Sequence, residues 1–495
     1  MALLGAAACA GCSRFRTASV QIERVAFLPL ENLSGDAALD WISTAGSTIL
    51  ANQLLGGAAG SVPIHVPVQA GALRDAYGAG ATQLVHGYFE KRRGNLHFEF
   101  IVEDARTHKT LQTLAEDGDA LQVLDRLARH IDSGAHAFSS SNPEAVAAWG
   151  RGEFEKAVSL DPNFGAAWLS WAQARAQAGD QQQTMQIVAR ALEQSSLQSP
   201  TDRTRLELVS ANLRQDPSAQ QRALAALVQL TPHDSALLRQ LATQATNARH
   251  FTEAVQFYQA VLRDDPDDLD IWNLLGYAQA FAHDIESAQQ SFQHYGRDPA
   301  RAANALDSQG EAAFLNGKFA EAEKYFLEAH TKNAATLGGV DLLKAAYARW
   351  LAGDLAAADQ HFSRYLDLRT QMKDPLVPWR QAVWEYSTGR PAEAAARLSS
   401  VTGPAEQVAR SQLALWRDPS KLPSDPAALR QAFERTPPAL DGITRVLFAA
   451  ALVQSGQKDE ARKLLDLWPL PGMEGDALLQ SFLFPKYLEL KRELK

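Results

Sequence analysis

Cysteine is almost missing from this chain: of 495 residues only Cys9 and Cys12 carry a thiol, both at the amino terminus. No disulfide framework can staple the folded body, so its stability has to come from packing. The C-x-x-C spacing of the pair suits neither a redox motif, which needs a strand–helix context, nor a zinc site, which needs two more ligands. Positive charge is not in excess either. Lys and Arg number 48 against 57 Asp and Glu, and the net charge of −9 leaves no basic footprint for nucleic acid. No stretch approaches the roughly 18 uncharged apolar residues that a membrane-spanning helix needs.

The usual signatures of chemistry are absent as well. There is no G-x-G-x-x-G, no G-x-x-x-x-G-K-[ST], no G-x-S-x-G and no H-E-x-x-H. Gly317-Lys318 ends like a phosphate loop, but Phe319 stands where the hydroxyl residue belongs. The run Asp264-Asp265-Pro266-Asp267-Asp268 lacks the glycine and the terminal Glu of a calcium loop. These absences leave no catalytic residue, no metal ligand and no cofactor to name, and the chain is expected not to be an enzyme.

What is present is a period. Ala254, Ala288 and Ala322 are spaced 34 residues apart, and an aromatic follows each by four: Tyr258, Phe292 and Phe326. Gly276 and Gly310 keep the same interval, as do Pro232 and Pro266. Trp272, Leu275, Gly276, Ala288 and Phe292 in the stretch 269–302 resemble the tetratricopeptide pattern of W-x2-L-G followed by Ala and an aromatic. The resemblance implies stacked helix hairpins, with small residues where two helices cross and aromatics filling the gap between hairpins. Full repeats are read at 165–198, 201–234, 235–268, 269–302 and 303–336, and looser ones at 339–372, 375–408 and 442–475. Between 409 and 441, where Pro419, Pro423, Pro426, Pro437 and Pro438 fall, the pattern is lost, as a degenerate repeat or as a loop insertion.

Ahead of the array the pattern changes from helical to mixed. Strands are expected at Arg24–Leu30, Val62–Val68, Gln83–Lys91, Leu96–Asp104 and Lys109–Asp117, the second as an edge because of Pro63 and Pro67. Helices are expected at Leu39–Leu55, Val68–Gly78 and Ala120–Ile131. The string Val25-Ala26-Phe27-Leu28-Pro29-Leu30-Glu31-Asn32-Leu33-Ser34-Gly35-Asp36 resembles the opening of TolB-type domains, which are similar to those of the FlgO and CsgG envelope proteins. The segment Asn32–Asp36 follows a strand and opens a helix, a place where backbone N–H groups can hold an anion, but it also has ordinary turn and capping chemistry.

The first residues add an address. Ala2 to Gly11 is a run of apolar and small residues, and Ala10-Gly11-Cys12 resembles the lipobox of bacterial lipoproteins, in which the cysteine carries the lipid. Cys9 stands where that family usually has Leu, and no Lys or Arg precedes the run, which fits a natural start upstream.

The expected organisation is a mainly α chain, a tetratricopeptide α-solenoid preceded by a small mixed α/β domain. Its divisions are a signal and tether at 1–19, a TolB-like domain at 20–137 and a linker at 138–142. The array follows at 143–475, its segment Pro143–Leu160 read as one capping helix, and a closing helix occupies 476–495. In this family the first helix of each hairpin lines a concave groove. That implies a partner-binding face at Arg239, Asn273, Tyr277, Asp307, Glu311, Tyr347, Trp350 and Trp379, with a protein or peptide as partner and Cys12 as the lipid anchor. The expected role is a protein–protein interaction scaffold of the cell envelope, touching the membrane only through that anchor. The alternative is a cytosolic regulatory or sensor module, akin to the TolB-like regions joined to repeats in bacterial kinases and cyclases.

Overall fold

The structure, a computed structural model, describes residues 22–55, 61–64, 71–194, 196–197, 199–334, 336–437, 441–467 and 483–494. It falls into two compact units, Met1–Asp234 and Ser235–Lys495. The first holds a small mixed α/β fold followed by helix hairpins, and the second is built of helix hairpins stacked as in a tetratricopeptide α-solenoid.

The first unit begins with strands β1 (Glu23–Phe27) and β2 (Glu31–Asn32), helix α1 (Asp40–Leu54), β3 (Ser61–Ile64) and α2 (Ala72–Gly78). Strands β4 (Gln83–Arg92), β5 (Asn95–Asp104) and β6 (Thr110–Asp117) follow, then α3 (Ala120–Ile131). The sheet order is β3-β1-β4-β5-β6, with the short β2 pairing beside β4. β1 runs parallel to β3 and β4, whereas β4, β5 and β6 form an antiparallel meander. Alternation along β5 puts Phe98 and Phe100 on one face, opposite Phe89 of β4, and α1 and α3 bury them. α2 covers the other face through Ala76, against Ala26 and Leu84. β3 lies at the end of the strand order, as its Pro63 requires; Pro67 lies outside the described residues.

The same core runs on into the first hairpins. These are α4 (Pro143–Gly150), α5 (Phe154–Leu160), α6 (Gly165–Gln177), α7 (Gln181–Leu192), α8 (Pro200–Leu213) and α9 (Pro217–Leu230). The expected single helix 143–160 is two short helices. Gly152 takes φ +77° after Gly150, which breaks the first turn and makes a hairpin. The polar segment before it is packed: Ser139 and Ser140 are buried, Ser140 Oγ donates to Asp161 at 2.6 Å, and Phe138 stacks edge-on to Phe164. Asn142 accepts from the N–H groups of Glu144 and Ala145, and Pro143 opens the helix.

The second unit stacks five hairpins. They are α10 (Ser235–Asn247) with α11 (Phe251–Asp264), α12 (Leu269–Phe281) with α13 (Ile285–Tyr295), and α14 (Ala302–Leu315) with α15 (Phe319–Lys332). Then come α16 (Val340–Leu351) with α17 (Leu355–Gln371), and α18 (Val377–Ser387) with α19 (Pro391–Ser400). Ala254, Ala288 and Ala322 are fully buried, and so are Ala358 and Ala394, which carry the pattern on at the longer spacing. At the turn inside each hairpin one residue adopts the left-handed region: Arg249, His283, Gly317, Gly353 and Gly389.

After α19 the chain continues as α20 (Glu406–Arg417), α21 (Pro426–Arg435), α22 (Gly442–Gln454), α23 (Lys458–Leu467) and α24 (Leu483–Glu493). The proline-rich stretch 409–441 is therefore helical in two pieces and not a loop insertion, with Pro426 at the first turn of α21. These last helices do not simply extend the stack. Leu429, Phe433, Val446, Phe448, Phe484 and Tyr487 share one core with Phe314 of α14 and with Leu342, Leu343 and Tyr347 of α16.

Candidate functional site

In an open tetratricopeptide array the first helix of each hairpin keeps one face for the groove. Here α14 is buried from Asp307 through Leu315, and α16 from Val340 through Ala348, without interruption. A helix buried on every side has a neighbour on every side. α22 is in the same condition, with Gly442, Arg445, Val446 and Phe448 to Leu452 all buried. The inner face of these repeats is thus filled by the chain's own carboxyl-terminal helices.

Four of the eight expected groove residues meet in one network. Lys344 Nζ, with no exposed surface, donates to Asp307 Oδ1 and Oδ2 at 3.0 and 2.8 Å and to Glu311 Oε1 at 2.6 Å. Glu311 Oε2 accepts from the Tyr277 hydroxyl at 2.8 Å. Tyr277 also lies 3.0 Å from Ser308 Oγ, which donates to Asn273 Oδ1 at 3.3 Å. The three ammonium protons each find an oxygen, which a fully buried cation requires. Burial acts to push the Lys344 pKa down, but Asp307 and Glu311 outweigh it and raise it, so the amine stays charged. One cation faces two carboxylates, and the Tyr277 hydroxyl donates a further hydrogen bond to Glu311.

Asp307, Glu311 and Tyr347 are buried to within a few per cent of completely, so they are not open to a partner in this state. Tyr347 and Trp350 belong to an aromatic cluster: Phe484 of α24 lies 4.9 Å from Tyr347 and 5.7 Å from Trp350, ring centre to ring centre. Trp384 completes it at 5.1 Å from Tyr347. Trp379 packs separately with α18 and α19, and its buried Nε1 has no hydrogen-bond partner among the described residues. Arg239 is pinned within the wall, donating to Ser235 Oγ at 3.1 Å and to Asp268.

The residues that sequence reasoning missed are the ones that close this face. Arg249, in the turn between α10 and α11, donates to Asp441 and to the carbonyls of Phe433 and Thr436 at 3.2 and 3.3 Å. Its guanidinium lies 4.0 Å from the Phe433 ring centre. Arg445 holds the same fully buried Asp441 through both carboxylate oxygens at 2.9 Å. Lys344 carried a readable signal: a lone cation within Leu342-Leu343-Lys344-Ala345-Ala346, about one repeat after Glu311.

Elsewhere the chemistry is structural. In the loop Asn32–Asp36, Asn32 Nδ2 donates to the Asp36 carbonyl and to Asp40, Ser34 donates to Asn32, and Asp36 caps the next turn. The Asp36 carboxylate meets Lys91 at 2.6 Å, which turns the loop against an anion. A cavity of about 780 Å³ between α11, α12 and α13 is lined by Arg263, Trp272, Gln279 and His294, with Trp272 and His294 stacked at 4.2 Å. Among the described residues no cluster of three metal-ligating side chains occurs and no helix is long and apolar enough to cross a membrane. Cys12 lies outside the described residues.

No family model matches the chain, and no curated protein matches it. Among solved structures it is similar to a tetratricopeptide repeat protein from Parabacteroides merdae ATCC 43184, at 13% identity and a TM-score of 0.34 over 51% of this chain and 99% of that one. It is also similar to the carboxyl-terminal part of a repeat-containing protein from Cytophaga hutchinsonii, at 15% and 0.35 over 46% and 91%. A third likeness is to PilW, a type IV pilus biogenesis factor, at 14% and 0.29 over 42% and 94%. Such values are too low to carry an argument about function, and the repeat architecture rests on the chain's own hairpins.

Proposed function

We propose that this chain is a non-enzymatic scaffold for protein–protein interaction, held at the cell envelope by a lipid on Cys12. The observation that carries the scaffold reading is how the buried charges are used. Lys344 of α16 holds Asp307 and Glu311 of α14, and Asp441 at the start of α22 is held by Arg445 of that helix and by Arg249 of the α10–α11 turn. Charges committed in this way hold a rigid wall of stacked hairpins, which presents a preformed surface at low ordering cost to a partner. The anchor is supported by the resemblance around Ala10-Gly11-Cys12 alone. The division of the chain into a TolB-like domain at 20–137 and an array at 143–475 belongs to the same proposal.

Two measurements test it. Native cells are fractionated beside cells carrying Cys12→Ala. The wild type is expected with the membranes and the variant in the soluble fraction, and a soluble wild type removes the anchor. The intact chain is then used to capture proteins from detergent-solubilised membranes. At least one captured protein is expected to bind the purified chain saturably, and no such protein after exhaustive capture contradicts the scaffold reading.

A further inference from the structure

One buried carboxylate lies against open space. Asp202, in the first turn of α8, is 8% exposed and lines a cavity of about 260 Å³. The cavity belongs to the first unit, where the end of α1 and the segment 136–139 meet the starts of α6 and α8 and the end of α9. The His136 N–H donates to the Gln53 carbonyl at 2.9 Å and fixes that segment to α1. A Cβ on Gly165, the first residue of α6, would lie 2.5 Å from Asp202 Cβ, so the glycine makes room for this side chain. Burial raises the Asp202 pKa, and the nearby Ser139 hydroxyl and Arg205 only partly offset it. Arg205 is itself paired with Asp234 at 3.2 Å.

Two further oxygens on the same wall lack a donor. Gln53, 2% exposed, gives its Nε2 to Asp125 at 3.1 Å and leaves Oε1 buried with no hydrogen-bond partner among the described residues. Ser139 Oγ, also buried, lies near Asp202 without a hydrogen bond of ordinary geometry. Buried oxygens left in this way are costly, so each points to a donor that the chain itself does not supply. Leu55, Phe138 and Leu230 add apolar wall to the same space.

We infer that this cavity is a binding site for a small organic amine, held as its ammonium by the Asp202 carboxylate, with Gln53 Oε1 and Ser139 Oγ accepting its other protons. Three oxygens for three ammonium protons is what a buried cation requires, and the same chain meets that requirement for Lys344 with Asp307 and Glu311. The apolar wall suits a short alkyl group on the amine, whereas a bare metal ion would leave most of the space empty. The lining oxygens select a donor of positive charge over a neutral one, because a carboxylate gains most from a charged partner. The site stands apart from the scaffold reading, and neither experiment bears on the other.

The test titrates the intact chain with propylammonium chloride by calorimetry, beside 1-propanol, its neutral counterpart, and potassium chloride. Propylammonium is expected to bind saturably at one site, at least about tenfold more tightly than 1-propanol. Absence of saturable binding overturns the inference and leaves a cavity that holds water only. Equal binding of 1-propanol or of potassium also overturns it. Asp202→Asn keeps the shape of the side chain and removes its charge, and is expected to weaken binding at least about tenfold. Gln53→Met, which removes the unpartnered oxygen, is expected to weaken it as well and serves where the first variant does not fold. Unchanged affinity in a folded variant overturns the assignment. Hydrogen exchange on the wild-type chain needs no variant. Propylammonium is expected to slow the amides of 136–139 and 199–205, and protection that is unchanged there, or that rises elsewhere instead, overturns the proposal.

Discussion

The ring of Phe326 occupies the space where Gly310 would carry a side chain: a Cβ there would lie 2.5 Å from Cε1 of the ring. One period earlier Phe292 stands over Gly276 at the same 2.5 Å. The spacing seen in the sequence is therefore a physical pair repeated, a glycine on the first helix and a ring from the second helix of its hairpin. Gly310→Ala is expected to force the two helices apart and to cost about 1–3 kcal/mol by overpacking. Gly78→Ala, whose Cβ would meet nothing within 4 Å, is expected to be neutral or slightly stabilising. Urea unfolding of the two variants checks the contrast.

The Lys344 network makes a second expectation. Lys344→Met removes the cation and leaves Asp307 and Glu311 buried together, which is expected to cost about 3–5 kcal/mol. Adding Asp307→Asn and Glu311→Gln removes the stranded charges and is expected to restore most of that loss. Thermal melts of the single and triple variants measure it, and additive losses would contradict the network.

In the amino-terminal sheet, a Cβ on Gly87 of β4 would collide with the Glu99 carbonyl oxygen of β5. Gly87→Ala is expected to disrupt this sheet and to leave the helices of the second unit folded. Hydrogen exchange resolved by peptide separates the two outcomes.

Acid provides a fourth expectation. Burial, with Arg297 and Arg364 nearby in turn, holds His294 and His330 below the ordinary histidine pKa. The unfolded chain then binds these protons first, so their contribution is complete above about pH 6.5 and is lost as pH falls through the folded values. The urea midpoint is expected to be lower at pH 5.5 than at pH 7.5. The His294→Gln, His330→Gln chain is expected to show a smaller difference.

How much of this was legible from residues alone follows the range of the forces. The hairpins from α10 to α15 are specified by neighbours within one repeat, such as Gly276 with Phe292, and the sequence displays them openly. The meander β4–β5–β6 is likewise local, set by alternation and by turns such as Arg93-Gly94. The two-residue β2 is invisible because it depends on Tyr88 and Phe89 far along the chain. The covering of α14 and α16 is not legible for the same reason. It depends on α22, whose run Val446–Val453 is apolar on all sides, and on α24, whose apolar stripe looks like that of any amphipathic helix. The expected groove positions assume that this face stands open. Four of them, Asn273, Tyr277, Asp307 and Glu311, belong instead to one network whose cation, Lys344, lies outside the repeat pattern.

The central claim is that the second unit folds back on itself, its carboxyl-terminal helices filling the inner face of its own repeats. The contact that states this most sharply is Arg249 to Asp441, between the first hairpin of the unit and the start of α22. A double-mutant cycle with Arg249→Ala and Asp441→Ala, read by urea unfolding, tests it. The account predicts a coupling of about 1.5 kcal/mol or more, at the upper part of the range for residues in contact. Strictly additive effects would contradict it.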